Sequence, residues 1–301
     1  MSLMREMMRD SDRAAGSSQT RDAREGTVRD YVAWAKQNNI QTRHSDQIKA
    51  KHVRAYGKHL AQRVERGEIS VGHAQNRMSH MRGILSAQGR DKTAGREDLS
   101  NAALGLSGRS RAGTNRAITD KELRDLQERV PSHVAAGLEV ARSMGLRSKE
   151  TVAGCVREQL KDWERELSEG KANVVRGAKG GRMRVTHFMS KPAQDRALAA
   201  VRGALSELDR MGRDQLFQGR GDNLRSGVRS FRYQLEKAGL TQAQSQATMH
   251  SIRYAWTQEA VAHLREQGYG DRQANTMVST WLGHGDGRGR YIQQVYGRDA
   301  G

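Results

Sequence analysis

Six side chains in the second half of the chain fall in an order that suits chemistry at a phosphodiester: Arg147, Lys179, His250, Arg253, His284 and Tyr296. A phosphodiester resists attack because its charge repels nucleophiles and its alkoxide leaves poorly. Two guanidiniums, Arg147 and Arg253, can grip the non-bridging oxygens with charged hydrogen bonds that strengthen as charge builds in the transition state. A lysine such as Lys179 can protonate the departing 5′-oxygen as general acid, with Arg182 as the competing donor nearby. His250 precedes Arg253 by three residues, which puts both on one helix face, where the imidazole accepts a tyrosine proton or holds a phosphate oxygen. His284 offers a further hydrogen bond to the phosphate. The phenol of Tyr296 can join covalently to phosphorus and keep the bond energy for resealing without ATP. Tyr291, five residues earlier, is its rival.

Each signal is weak alone: ten His and 40 Arg give on the order of one His-x-x-Arg by chance. Order and context raise it. The contexts are Gly-Leu-Arg-Ser-Lys-Glu at 145–150, Ala-Lys-Gly-Gly-Arg at 178–182, His-Ser-Ile-Arg at 250–253, Trp-Leu-Gly-His-Gly at 281–285 and Gln-Gln-Val-Tyr at 293–296. Together they resemble the tyrosine site-specific recombinases, the phage-integrase family.

That resemblance implies a site made of Arg147, Lys179, His250, Arg253, His284 and the nucleophile Tyr296, with no metal or nucleotide cofactor. It implies a mainly α fold with a small β-hairpin, in which a helical, SAM-like core-binding domain and an α+β catalytic domain clamp double-stranded DNA. Tyrosine attack would leave a 3′-phosphotyrosine and a free 5′-hydroxyl, and the hydroxyl of a second strand would reverse it. A homo-tetramer on two DNA sites, serving a mobile element or prophage, completes the expectation. Two features depart from the pattern. Twelve positions separate His284 from Tyr296, about three more than the family's commonest spacing, with the excess in Gly-Asp-Gly-Arg-Gly at 285–289. Five residues follow Tyr296, where many relatives carry a further helix that docks in a neighbouring protomer, and the resemblance leaves the mode of tetramer assembly open. The rival readings are a type IB topoisomerase-like relaxer and a non-catalytic DNA-binding protein that retains the clamp.

The elements that must position these residues are legible as apolar spacings. Val28, Tyr31, Val32 and Ala35 follow the N-cap candidate Thr27, and Val53, Tyr56, Leu60 and Val64 repeat the helical period. Met78, Met81 and Leu85 mark another helix, giving a helical bundle over 21–92 behind a mobile tail at 1–20. Residues 93–117 are polar and rich in Gly, Ser and Arg, and are expected to form a basic linker. The catalytic domain, 118–301, opens on a capping box of Thr119 and Glu122 with a staple of Ile118 and Leu123. Val174-Val175 and Val185 to Phe188 flank Lys-Gly-Gly-Arg and predict a hairpin across a Gly-Gly turn.

Composition supports a polyanionic partner. The net charge is +18 with a pI near 10.5, and Arg outnumbers Lys 40 to 12. The planar guanidinium fork matches phosphate oxygens in a way the lysine ammonium cannot. Cys155 is the single cysteine, which excludes a disulfide within one chain and a cysteine-based zinc site. No apolar run approaches a membrane span, and the start lacks a signal-peptide pattern, so a cytoplasmic, nucleoid-associated protein is expected.

Overall fold

A computed structural model describes residues 2–14, 16, 18–108, 116–188, 190–219, 221, 223–284 and 289–296. The chain divides into two compact units, Met1–Ser110 and Arg111–Gly301. The fold is mainly helical with one two-stranded antiparallel sheet.

The first unit contains α1 (Leu3–Arg13), α2 (Ser18–Gln37), α3 (Ala50–Glu65), α4 (Val71–Ala87) and the short α5 (Asp91–Ala94). Its core joins Val28 and Tyr31 of α2, Val53, Tyr56 and Leu60 of α3, and Met78, Met81 and Leu85 of α4. Leu3–Arg13, inside the expected tail, form a helix. Leu3, Met4, Met7 and Met8 form an apolar stripe along α1, and Met7 is buried in this core. Two carboxylates tie the helix down: Glu6 accepts from the Ser45 backbone N–H (2.8 Å), and Asp10 accepts from the Ser45 hydroxyl (2.7 Å) and the Gln88 amide (2.8 Å). The second helix begins at Ser18, nine residues before the expected cap. Thr27 is therefore interior to α2, where its hydroxyl meets the Ala23 carbonyl (3.2 Å) and His80 Nδ1 (2.8 Å). Arg24 explains how two helices fit where a tail was expected, because its Nη1 caps the end of α1 at the Ser11 and Ala14 carbonyls (2.7 and 2.8 Å).

The segment 93–117 also differs from a free linker. Leu99, Leu104 and Leu106 are buried in the first unit, and Ile118 belongs to the core of the second. Apolar residues spaced among many polar ones suffice to dock most of it. The Gly/Ser/Arg run at 109–115 lies outside the described residues.

The second unit contains α6 (Asp120–Glu128), α7 (Ser132–Met144), α8 (Ser148–Gly154), α9 (Arg157–Leu167), β1 (Lys171–Val174), β2 (Arg184–His187), α10 (Lys191–Met211), α11 (Leu224–Lys237), α12 (Gln242–Ser245), α13 (Met249–Glu266), α14 (Asp271–Trp281) and α15 (Gly289–Tyr296). Thr119 and Glu122 form the capping box of α6, and Ile118 and Leu123 are buried beside it. The sheet pairs Val174 with Arg184 and Lys171 with His187. The two strands are joined by residues 175–183, a loop longer than a two-residue hairpin turn, in which the chain turns at Gly180 and Gly181 in the left-handed region (φ 71° at each), and Val175 is exposed outside the strand. Among the described residues, no helix is long and apolar enough to cross a membrane.

Candidate active site

Four element ends meet around one carboxylate. The first is the end of α7, closed by Gly145 in the left-handed region (φ 61°). Gly145 is required twice over, because a Cβ there would also stand 2.7 Å from the Trp256 ring. The chain then places Arg147 as the N-cap of α8, with Glu150 reaching back to its backbone N–H at 2.9 Å. The second is the start of α13, where the Thr248 hydroxyl caps the His250 N–H (3.2 Å) and Arg253 follows one turn later. The third is the end of α14, where His284 N–H returns to the Ser279 carbonyl (2.9 Å). The fourth is β2, which begins with Arg184.

Glu150 is wholly buried and shared by three arginines. Its Oε1 accepts from Arg147 Nη1 (2.6 Å), its Oε2 accepts from Arg184 Nη2 (2.9 Å), and Arg253 Nη1 lies 3.5 Å from Oε2. The same guanidiniums bind the carbonyls that end α7 and α14. Arg253 donates to Gly145 (2.5 Å) and Leu282 (2.7 Å), Arg147 to Leu282 (3.1 Å), and Arg184 to Trp281 (2.8 Å). Cations at helix C-termini are favoured by the partial negative charge there, so the cluster is held without any ligand. Three cations against one carboxylate still leave an excess of positive charge beside Tyr296. Burial pulls the Arg253 guanidinium down to about 10, which leaves it charged at neutral pH.

Tyr296 ends α15 and is 1% exposed. Its hydroxyl lies 3.4 Å from Nε2 of His250 and 3.4 Å from Nε2 of His284. The Gln258 amide holds its carbonyl at 2.9 Å, and its ring packs on Tyr254 with centroids 4.5 Å apart. Tyr291 is half-buried and faces His284 instead, at 4.7 Å between ring centroids. The structure thus gathers Arg147, His250, Arg253, His284 and Tyr296. The Lys179 backbone precedes the Gly180-Gly181 turn of the hairpin loop, and its side chain is outside the described residues. The extra spacing at 285–288 is likewise outside them.

Sequence reasoning misses Arg184 altogether. Alternation in Arg184-Val185-Thr186-His187 suggests that Val185 points inward, yet Arg184 and Thr186 are the buried pair. The strand presents its polar face to the interior because that interior holds Glu150. A polar residue repeating at i and i+2, with an unpaired acidic residue elsewhere in the chain, is the one signal that could have found it.

Burial, then the neighbouring Arg253 and Arg147, push His250 down to about 4, so its imidazole is neutral at pH 7. For Glu150, burial alone would raise the carboxyl, but Arg184, Arg253 and Arg147 outweigh it and hold the group at about 2. Both groups have lowered proton affinity when folded, so both contribute stability that acid removes. The His250 share is lost as pH falls from about 6.5 to about 4, and the Glu150 share from about 4.5 to about 2. Melting temperatures measured from pH 7 to pH 3 should therefore decline from about pH 6.5 downward. His250→Gln should flatten the upper part of that decline. An unchanged profile in the variant would remove His250 from the account.

Residues 105–259 match the family described as Integrase, and residues 1–94 match that described as Phage integrase, N-terminal. The chain belongs to the phage-integrase family of tyrosine recombinases. Solved structures share its fold at low identity. A lambda integrase tetramer bound to a Holliday junction has a TM-score of 0.56 at 13% identity, covering 96% of this chain and 75% of that one. The Tn1549 transposon integrase in complex with transposon right end DNA has a TM-score of 0.56 at 13% identity, covering 97% and 94%. The XerH recombinase bound to its difH substrate has a TM-score of 0.50 at 15% identity, covering 91% and 76%. Among curated protein sequences no match is found.

Proposed function

We propose that this recombinase cuts and rejoins double-stranded DNA for a mobile element or prophage, with Tyr296 as nucleophile. The phenol oxygen attacks phosphorus and the P–O5′ bond breaks, giving a 3′-phosphotyrosine and a 5′-hydroxyl. The phenol proton passes to neutral His250, whose low basicity rises once a phosphate anion lies beside it. Arg147 and Arg253 neutralise the non-bridging oxygens, His284 adds a hydrogen bond, and Lys179 gives the departing 5′-oxygen its proton. Attack by the 5′-hydroxyl of a second strand runs the sequence backwards. Two sites held by a homo-tetramer would supply that strand.

The observation that carries this reading is the Tyr296 hydroxyl, 3.4 Å from two imidazole nitrogens and beside a cluster of three guanidiniums around one carboxylate. Arg253 Nε, buried with no partner among the described residues, is a donor that an incoming phosphate oxygen can satisfy. The net charge of +18 and the DNA held by the matched lambda, Tn1549 and XerH proteins support a duplex partner.

A suicide substrate tests it, in which a nick near the cleavage site lets the 5′-hydroxyl fragment diffuse away. The protein should become covalently attached to such DNA in excess EDTA, since guanidiniums supply the charge that a cation supplies in many nucleases. Adduct that forms only when magnesium is returned would overturn the proposed chemistry. Exchange of strands between two duplexes distinguishes recombination from simple relaxation.

A further inference from the structure

The loop that carries Lys179 is held at both ends, one against α8 and the other at the arginine cluster. On one side, Gly177 lies so close to α8 that a Cβ would stand 2.4 Å from the Lys149 carbonyl oxygen, and its φ of +74° suits glycine. On the other side stands Arg184, the first residue after the loop and 4% exposed. Its guanidinium is engaged with fixed groups: Glu150 Oε2 (2.9 Å), the Trp281 carbonyl (2.8 Å), the Gly145 carbonyl (3.3 Å) and the Thr186 hydroxyl.

A buried ion pair of this kind is weak evidence of added stability, because apolar residues of similar volume commonly do as well. Its connections are more informative. The carboxylate that Arg184 binds also holds Arg147, and the Gly145 carbonyl it binds also holds Arg253. One side chain therefore links the loop to both phosphate-binding candidates.

We infer that Arg184 is a positioning residue, which registers the loop bearing Lys179 against Arg147 and Arg253 so that proton delivery to the 5′-oxygen is aligned with phosphate binding. This rests on the general-acid reading of Lys179, and the test separates the two. Single-turnover cleavage is measured on ordinary DNA and on DNA with a 5′-bridging phosphorothiolate, whose sulfur leaves without a proton. Unaltered protein, Lys179→Ala, Arg184→Gln and Arg184→Lys are compared, with thermal melts to confirm folding. Arg184→Lys keeps a cation opposite Glu150 but loses the fork, so it decides the matter if Arg184→Gln does not fold.

Arg184→Lys should slow cleavage of ordinary DNA about tenfold or more while cleavage of the phosphorothiolate stays within about threefold. Lys179→Ala should show the same selectivity more strongly. Equal slowing of both substrates by the Arg184 variants, with Lys179→Ala still selective, would make Arg184 a structural support of the arginine pair and overturn the inference alone. Loss of selectivity in Lys179→Ala would overturn both readings.

Discussion

Tyr296→Phe should bind duplex DNA as the unaltered protein does and form no covalent adduct at all. The substitution removes one oxygen and keeps the ring, which is packed against Tyr254 and Tyr291 (centroids 4.5 and 6.2 Å), so α15 should keep its place. The oxygen removed is the one that lies between His250 and His284. Tyr291 sits five residues earlier in α15 with its ring on His284, whereas the Tyr296 hydroxyl lies 3.4 Å from both imidazoles. Tyr291→Phe should accordingly form the adduct, and peptide mapping of adduct from unaltered protein should place the nucleotide on Tyr296. A nucleotide on Tyr291 would reverse the assignment while leaving membership of the family untouched.

Features that depend on short stretches of chain are legible in the amino-acid sequence. The capping box of Thr119 and Glu122, and the helix that sets His250 one turn before Arg253, are local hydrogen-bond patterns, and both are present. Residues that owe their place to distant partners are not legible. In α1, charge dominates Met-Arg-Glu-Met-Met-Arg-Asp, and partners far along the chain, His44, Ser45 and Gln88, explain why Glu6 and Asp10 are buried. Arg184 misleads for the same reason, since its inward face makes sense only beside Glu150. The sharing of Glu150 among three guanidiniums depends on element ends far apart in the chain meeting in space. The site is thus legible as a set of reacting groups and illegible as the frame that holds them.

That frame makes the two arginines behave differently on mutation. Arg147 keeps 22% of its side chain exposed, and its fixed partners, Glu150 and the Leu282 carbonyl, both retain other arginines when it is removed. Arg147→Ala should stay folded and bind DNA, because many basic groups remain, yet slow single-turnover cleavage by more than about 100-fold. Arg253 is 0% exposed and donates to Gly145 and Leu282 while flanking Glu150. Its removal leaves Glu150 with Arg147 and Arg184, Leu282 with Arg147 and Gly145 with Arg184, but it empties the space of a wholly buried side chain, at a cost on the order of 2–5 kcal/mol. That is a large share of the roughly 5–15 kcal/mol that holds a domain folded. Arg253→Ala should therefore lower the melting temperature as well as the rate, whereas Arg147→Ala should lower the rate alone. Melts, equilibrium binding and single-turnover cleavage on the same samples separate the two. Weak binding with normal chemistry in Arg147→Ala would recast that residue as a docking contact, and a melting temperature unchanged in Arg253→Ala would mean that Arg147 and Arg184 are enough to hold Glu150 and the carbonyl ends of α7 and α14.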